Sequence, residues 1–174
     1  MRKSRRLIAL AAGLAAAAAV LAHPGTAKAA NYNAWVGPDG LCFGVQGGNM
    51  AAGTPIISWQ CDGSNNQQWS EDTNSGAPNT FLLRNLANPS ECLSVWGEAK
   101  YLDAPLVIWP CKAFNDNADQ RWSRANTTSA PIYNFNSGLQ ILPGGFSPSG
   151  PGAAIVQWDG RVPYKWTAID FVSA

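Results

Sequence analysis

One nine-residue stretch is written three times along the chain. It reads TPIISWQCD from Thr54 to Asp62, APLVIWPCK from Ala104 to Lys112, and AAIVQWDGR from Ala153 to Arg161. Each copy holds one tryptophan at the same place: Trp59, Trp109 and Trp158. Upstream of the three lie GLCFGV (Gly40–Val45), SECLSV (Ser90–Val95) and SGLQIL (Ser137–Leu142). Downstream lie NQQW (Asn66–Trp69), DQRW (Asp119–Trp122) and PYKW (Pro163–Trp166). Repetition at this spacing constrains the fold more than any composition does, because each copy is one supersecondary unit that buries its apolar face only against the others. The segments within a copy are short, rich in β-formers and bounded by Gly, Pro, Asn and Asp, and no amphipathic helix pattern follows residue 30. Three such units closed around a pseudo-threefold axis leave few strand edges exposed. FLLRNL (Phe81–Leu86) and PIYNFN (Pro131–Asn136) read as the strands that link one copy to the next.

The first residues are of another kind. Arg2, Lys3, Arg5 and Arg6 precede an apolar run from Leu7 to Ala22, and Ala27-Lys28-Ala29 is a small-x-small cleavage pattern. This is the layout of a secretory signal peptide over residues 1–29, with cleavage expected after Ala29. Paired arginines leave both the general and the twin-arginine export route open. The remaining residues 30–174 form one domain, with repeats at about 32–80, 81–130 and 131–174. They carry seven basic against eleven acidic residues, a balance of −4, and no histidine, since His23 lies in the leader. That balance argues against nucleic acid and anionic membranes as partners.

The four cysteines, Cys42, Cys61, Cys92 and Cys111, all follow the leader. An even count in an exported chain points to disulfides, and four cysteines allow three pairings. The repeat favours Cys42–Cys61 and Cys92–Cys111, since both pairs are nineteen residues apart.

A Cys-x-x-Val strand (Cys–Leu–x–Val in the second repeat), a strand ending in Trp-x-Cys and a closing Gln-x-Trp, in threefold repetition, resemble the ricin B-type lectin family. The two full copies and a decayed third span about Tyr32 to Phe171. The resemblance implies an all-β fold, a β-trefoil, and a carbohydrate ligand. It implies that an aromatic platform, a polar residue and a glutamine hold the sugar. In the first repeat these are Trp59, Asn66 and Gln67; in the second, Trp109, Asp119 and Gln120. A pyranose suits such a site, with a C–H-rich face for an indole and a rim of hydroxyls for amides and carboxylates. The family's sugar-binding aspartate falls on Gly44 in the first repeat, Ser94 in the second and Ile141 in the third, so it is missing from all three. The third repeat offers Trp158, Pro163 and Tyr164 at the other places, with Gln140 one residue off.

Several residues also have plainer readings. Trp69, Trp122 and Trp166 are expected in the core, and Gln67 and Gln120 also fit a role tying loops to backbone. Trp96 reads first as a packing residue, with an extra platform facing the same pocket as the alternative, and Asp119 fits an ordinary loop carboxylate. Without histidine outside the leader and with its cysteines paired, the sequence shows no nucleophile pair, metal set or phosphate loop. The reading is therefore a secreted, monomeric, non-catalytic carbohydrate binder without cofactor or metal. The alternative is a protein-binding trefoil, such as a hydrolase or protease inhibitor. Its motive is the Pro/Gly-rich stretch PGGFSPSGPGAA (Pro143–Ala154).

Overall fold

The three closing tryptophans organise the molecule. A computed structural model describes residues 31–113, 115–145 and 149–170, so the expected leader lies outside the described residues. Thirteen strands run along them: β1 (Tyr32–Val36), β2 (Leu41–Val45), β3 (Ile56–Gln60), β4 (Gln68–Asp72), β5 (Leu82–Asn85), β6 (Glu91–Val95), β7 (Leu106–Pro110), β8 (Trp122–Ser123), β9 (Ser129–Ala130), β10 (Tyr133–Asn134), β11 (Gln140–Pro143), β12 (Ile155–Trp158) and β13 (Trp166–Ile169). Helical structure among the described residues is limited to four three-residue 3-10 turns.

Antiparallel pairing closes a ring. β4 pairs β1 and β5, a bridge joins Phe81 to Trp122, β8 pairs β10, and β13 pairs both β9 and β1. Three hairpins cap the ring: β2–β3, β6–β7 and β11–β12. They bridge one another through Pro55–Val107, Ile57–Ala154 and Pro105–Val156. This is a β-trefoil. Inside it Trp69, Trp122 and Trp166 are fully buried among Phe43, Leu93, Ile141, Ile56, Leu106 and Ile155. Each indole N–H donates to a carbonyl of its own repeat's hairpin: Trp69 to Phe43 at 3.3 Å, Trp122 to Leu93 at 3.2 Å and Trp166 to Ile141 at 3.0 Å. One buried ring per repeat thus satisfies its polar atom while filling the centre.

Cys42–Cys61 and Cys92–Cys111 are both bridged, and no cysteine is free. Each bridge ties the ends of a hairpin and contributes on the order of 3 kcal/mol by restricting the unfolded chain.

The third repeat corrects one part of the sequence alignment. Cys42 stands opposite Trp59 and Cys92 opposite Trp109, but Trp158 stands opposite Gln140. Gln140 therefore occupies the cysteine place and Leu142, not Ile141, the aspartate place. The cause is one extra residue in the third hairpin, which strand pairing locates and sequence spacing does not.

Gln140 also does the work of the missing Gln-x-Trp glutamine. In the first repeat Gln67 Nε2 donates to Gln60 O at 2.8 Å and its Oε1 accepts from Asp62 N at 3.0 Å. In the second, Gln120 does the same with Pro110 O at 3.0 Å and Lys112 N at 2.8 Å. In the third, Gln140 donates to Asp159 O at 2.8 Å and Val162 O at 2.7 Å, and accepts from Tyr164 N at 3.0 Å. One buried amide thus holds a loop that has neither bridge nor Gln-x-Trp. Gln140→Leu strands three backbone groups and is expected to cost about 2–3 kcal/mol. Gln67→Leu, in a loop still closed by a disulfide, is expected to cost about 1 kcal/mol less. Urea denaturation of both variants checks this; an equal or smaller loss for Gln140→Leu refutes it.

Candidate functional site

The hairpins carry two matching cavities. In the first repeat the cavity, about 510 Å³, lies between β2–β3 and the loop before β4. Trp59 stands on its rim, 47% exposed. Gly44 forms the floor, and a side chain has no room there. A Cβ on Gly44 would lie 2.8 Å from Gln67 Cγ and 3.1 Å from Asn66 O. Gln67 is buried with both ends of its amide on backbone, so it shapes the cavity wall. Asn66 Nδ2 donates to Val45 O at 2.9 Å. Its other amide atom, Oδ1, has no hydrogen bond among the described residues, leaving an acceptor for a ligand hydroxyl. Asp62 accepts from Ser64 N at 2.9 Å and Ser64 Oγ at 2.5 Å, and these bonds hold its carboxyl below the usual range.

The second repeat solves the same problem with charge. Its cavity, about 450 Å³, holds Ser94 at the aspartate place. Ser94 Oγ donates to Asp119 Oδ2 at 3.0 Å. Asp119 is only 3% exposed, so the plain loop carboxylate expected from sequence is instead a buried group lining the cavity. Lys112 Nζ donates to Asp119 Oδ1 at 3.0 Å and to Glu98 Oε1 at 2.5 Å. Burial alone would lower the Lys112 ammonium; its bonds to Glu98 and Asp119 outweigh that and raise it. The bond from Lys112 lowers Glu98 in turn. A carboxylate from the opposite loop thus stands beside Ser94. Gln120, like Gln67, is buried and engaged with backbone.

Trp96, by its exposure, favours the platform reading over packing. It is 48% exposed and meets Trp109, itself 37% exposed, at 80° with ring centroids 6.1 Å apart. Both line the second cavity. The 3-10 turn Trp96–Glu98 corresponds to Gln46–Gly48, so Trp96 stands where the first repeat has Gln46. Sequence reasoning singled out neither Lys112 nor Glu98. Comparison of the copies held a signal for the first, since Lys112 follows Cys111 where Asp62 follows Cys61.

In the third repeat Leu142, Trp158, Val162, Pro163 and Tyr164 line a smaller cavity of about 350 Å³, with the Asp159–Arg161 ion pair at its edge. An apolar side chain at the aspartate place leaves little there to accept a sugar hydroxyl.

Each site is completed from a neighbouring repeat. Gly53, Asp103 and Gly152 sit at the three hairpin tips with φ of 89°, 67° and 88°. Their N–H groups donate to Ile108 O at 2.8 Å, Gln157 O at 2.8 Å and Ser58 O at 2.7 Å, each carbonyl just before a strand-end tryptophan. A Cβ at Gly53 would lie 3.1 Å from Trp96 Cζ3 and 3.7 Å from Trp109 Cζ3. The first repeat therefore backs the indole pair of the second.

A family model of the ricin-type beta-trefoil lectin domain matches residues 34–160. The chain belongs to this lectin-domain family. Among solved structures, this lectin domain is similar to a designed threefold-symmetric protein, ThreeFoil, at 16% identity and a TM-score of 0.70, covering 80% of this chain and 99% of that one. A Macrolepiota procera ricin B-like lectin in complex with lactose gives 17% identity and a TM-score of 0.61, covering 83% and 98%. An exo-beta-1,3-galactanase from Clostridium thermocellum gives 20% and 0.70, covering 80% of this chain but 30% of that one. At these identities the likeness carries the fold alone. Among curated proteins no sequence matches.

Gly53→Asn keeps a side chain tolerant of positive φ and places it against both indoles. It is expected to cost roughly 1–2 kcal/mol and to change the near-ultraviolet circular dichroism of the Trp96–Trp109 pair. Gly152→Asn, whose Cβ would lie 3.8 Å from Trp59 Cζ3, is expected to leave that signal in place. Spectra of the two variants that change alike would refute the assignment.

Proposed function

We propose that the chain is a secreted, non-catalytic carbohydrate-binding protein that holds sugar rings in its first two repeats. The observation that carries this reading is the pair of exposed indoles, Trp59 and Trp109, each on the rim of a cavity whose polar wall offers Asn66 or Asp119. An indole face takes the C–H side of a pyranose, and the amide or carboxylate takes hydroxyls. The absent family aspartate is answered differently in each repeat. The first offers the neutral amide of Asn66, with its one carboxylate, Asp62, engaged by Ser64; the second offers a carboxylate through Asp119 and Ser94. A ricin B-like lectin in complex with lactose, and a non-toxic homologue of type II RIPs in complex with alpha-methyl-D-galactoside, are consistent with a small saccharide as ligand.

Gln67 and Gln120 act here as supports rather than as contacts, since their amides hold backbone. Export is supported by the basic-apolar start of the sequence and by the two disulfides, which persist in oxidising surroundings. Among the described residues no three His, Cys, Asp or Glu are grouped to hold a metal, and no helix is long and apolar enough to cross a membrane. The stretch Pro143–Ala154, which motivated a protein-binding alternative, is anchored over its described residues. Ser58 Oγ donates to Gly150 O at 2.6 Å, Gly152 N to Ser58 O at 2.7 Å and Gly144 N to Ala154 O at 2.9 Å. It reads as a hairpin tip seated on β3, which favours the carbohydrate reading.

Titration of tryptophan fluorescence with neutral mono- and oligosaccharides tests the proposal. Wild-type protein is expected to show a saturable change. Trp59→Ala and Trp109→Ala are each expected to lose one component, weakening it by tenfold or more, about 1.4 kcal/mol. A folded protein that responds to no saccharide would end this reading.

A further inference from the structure

We infer that the second-repeat site selects sugars carrying a protonated amine, and so an amino sugar or a partly deacetylated polymer of one. The inference rests on the carbohydrate-binding reading above and narrows it to a ligand class. Three observations support it.

The first is charge. Glu98, Asp116 and Asp119 line this cavity with a single cation, Lys112. Lys112 is held by Glu98 and Asp119, and no side-chain partner holds the exposed Asp116 carboxylate among the described residues. The four groups sum to about −2. The first-repeat cavity, by contrast, is lined by one carboxylate, Asp62, engaged with Ser64.

The second is the aromatic corner. Trp96 and Trp109 bound two sides of one cavity at 80°. One indole can stack on the sugar ring while the other offers its electron-rich face to an ammonium, and tryptophan is the best of the aromatic side chains for that contact. The first repeat has no second indole at this place, since Gln46 stands there.

The third is the surroundings. Residues 31–170 carry seven basic and eleven acidic residues, so the long-range field also favours a cation and opposes an acidic saccharide. An open cavity with exposed indoles on its rim and a polar wall suits a ring bearing hydroxyls and one amine better than an extended peptide.

The test uses Trp59→Ala protein, in which fluorescence reports the second site without the first-repeat indole. It is titrated with three oligosaccharides of one linkage, bearing a free amine, an N-acetylated amine or a hydroxyl at the same carbon. The free amine is expected to bind about tenfold tighter than either neutral form at low salt, with the advantage shrinking as added salt shortens the Debye length to about 3 Å near 1 M. Asp116→Asn and Glu98→Gln are each expected to reduce the ratio of amine to hydroxyl affinity. Neutral forms that bind as tightly as the amine overturn this inference and leave the lectin reading intact. A lysine-rich peptide that binds as tightly as the amino sugar overturns the ligand class. Silence toward all three sugars, in both this protein and the wild type, overturns the inference together with the lectin reading.

Discussion

Everything in this trefoil depends on one bond made three times. An indole N–H from the closing strand of each repeat reaches the carbonyl of its hairpin, at Phe43, Leu93 and Ile141. The ring must be buried to fill the axis, and a buried N–H without a partner is costly. The bond therefore fixes how far each hairpin sits from its closing strand. Because the three rings share one centre, it also fixes the hairpins relative to each other. The sites inherit that rigidity. Trp59 and Trp109 stand on hairpins whose positions are set from below by Trp69 and Trp122, and whose ends are clamped by disulfides.

Much of this was legible in the sequence, for a physical reason. Closing tryptophans, strand-end tryptophans and half-bridges each occupy symmetric places, so symmetry printed them at near-constant spacing. The same logic put Gly44 and Ser94 at matching places in the first two hairpins, because the flanking strands keep their pattern. It failed in the third repeat. There the cysteine and the Gln-x-Trp glutamine are gone together, and the hairpin has one more residue. Only pairing of Gln140 with Trp158 fixes the register. The loss of the two marks is itself connected, since the amide that replaces the glutamine grows from the position the cysteine vacated.

Contacts between repeats were illegible for a different reason. Gly53 lies fifty-six residues from Trp109, and a lone glycine in a turn signals only a turn. That its missing side chain makes room for two indoles of the next repeat follows from closure of the ring, which places each hairpin tip against its neighbour's strand. The weight given to packing at Trp96 has similar grounds. A large aromatic after an apolar strand reads as core, yet the left-handed Gly97 beside it belongs to a turn that runs out of the barrel and carries the ring with it.

The first two sites are built differently at one matched position. At Gly44, Gln67 and Asn66 come so near that no side chain fits. At Ser94 a hydroxyl is present, and it needs an acceptor. It finds Asp119, whose burial requires a cation, supplied by Lys112, whose remaining donors reach Glu98. Each step follows from the cost of burying an unmatched polar or charged group. The second repeat thus holds a linked set of four residues, Ser94, Asp119, Lys112 and Glu98, that the first does not share. The two sites differ in charge while keeping the same indole, because the indole answers to the fold and the polar wall answers to whatever stands opposite it.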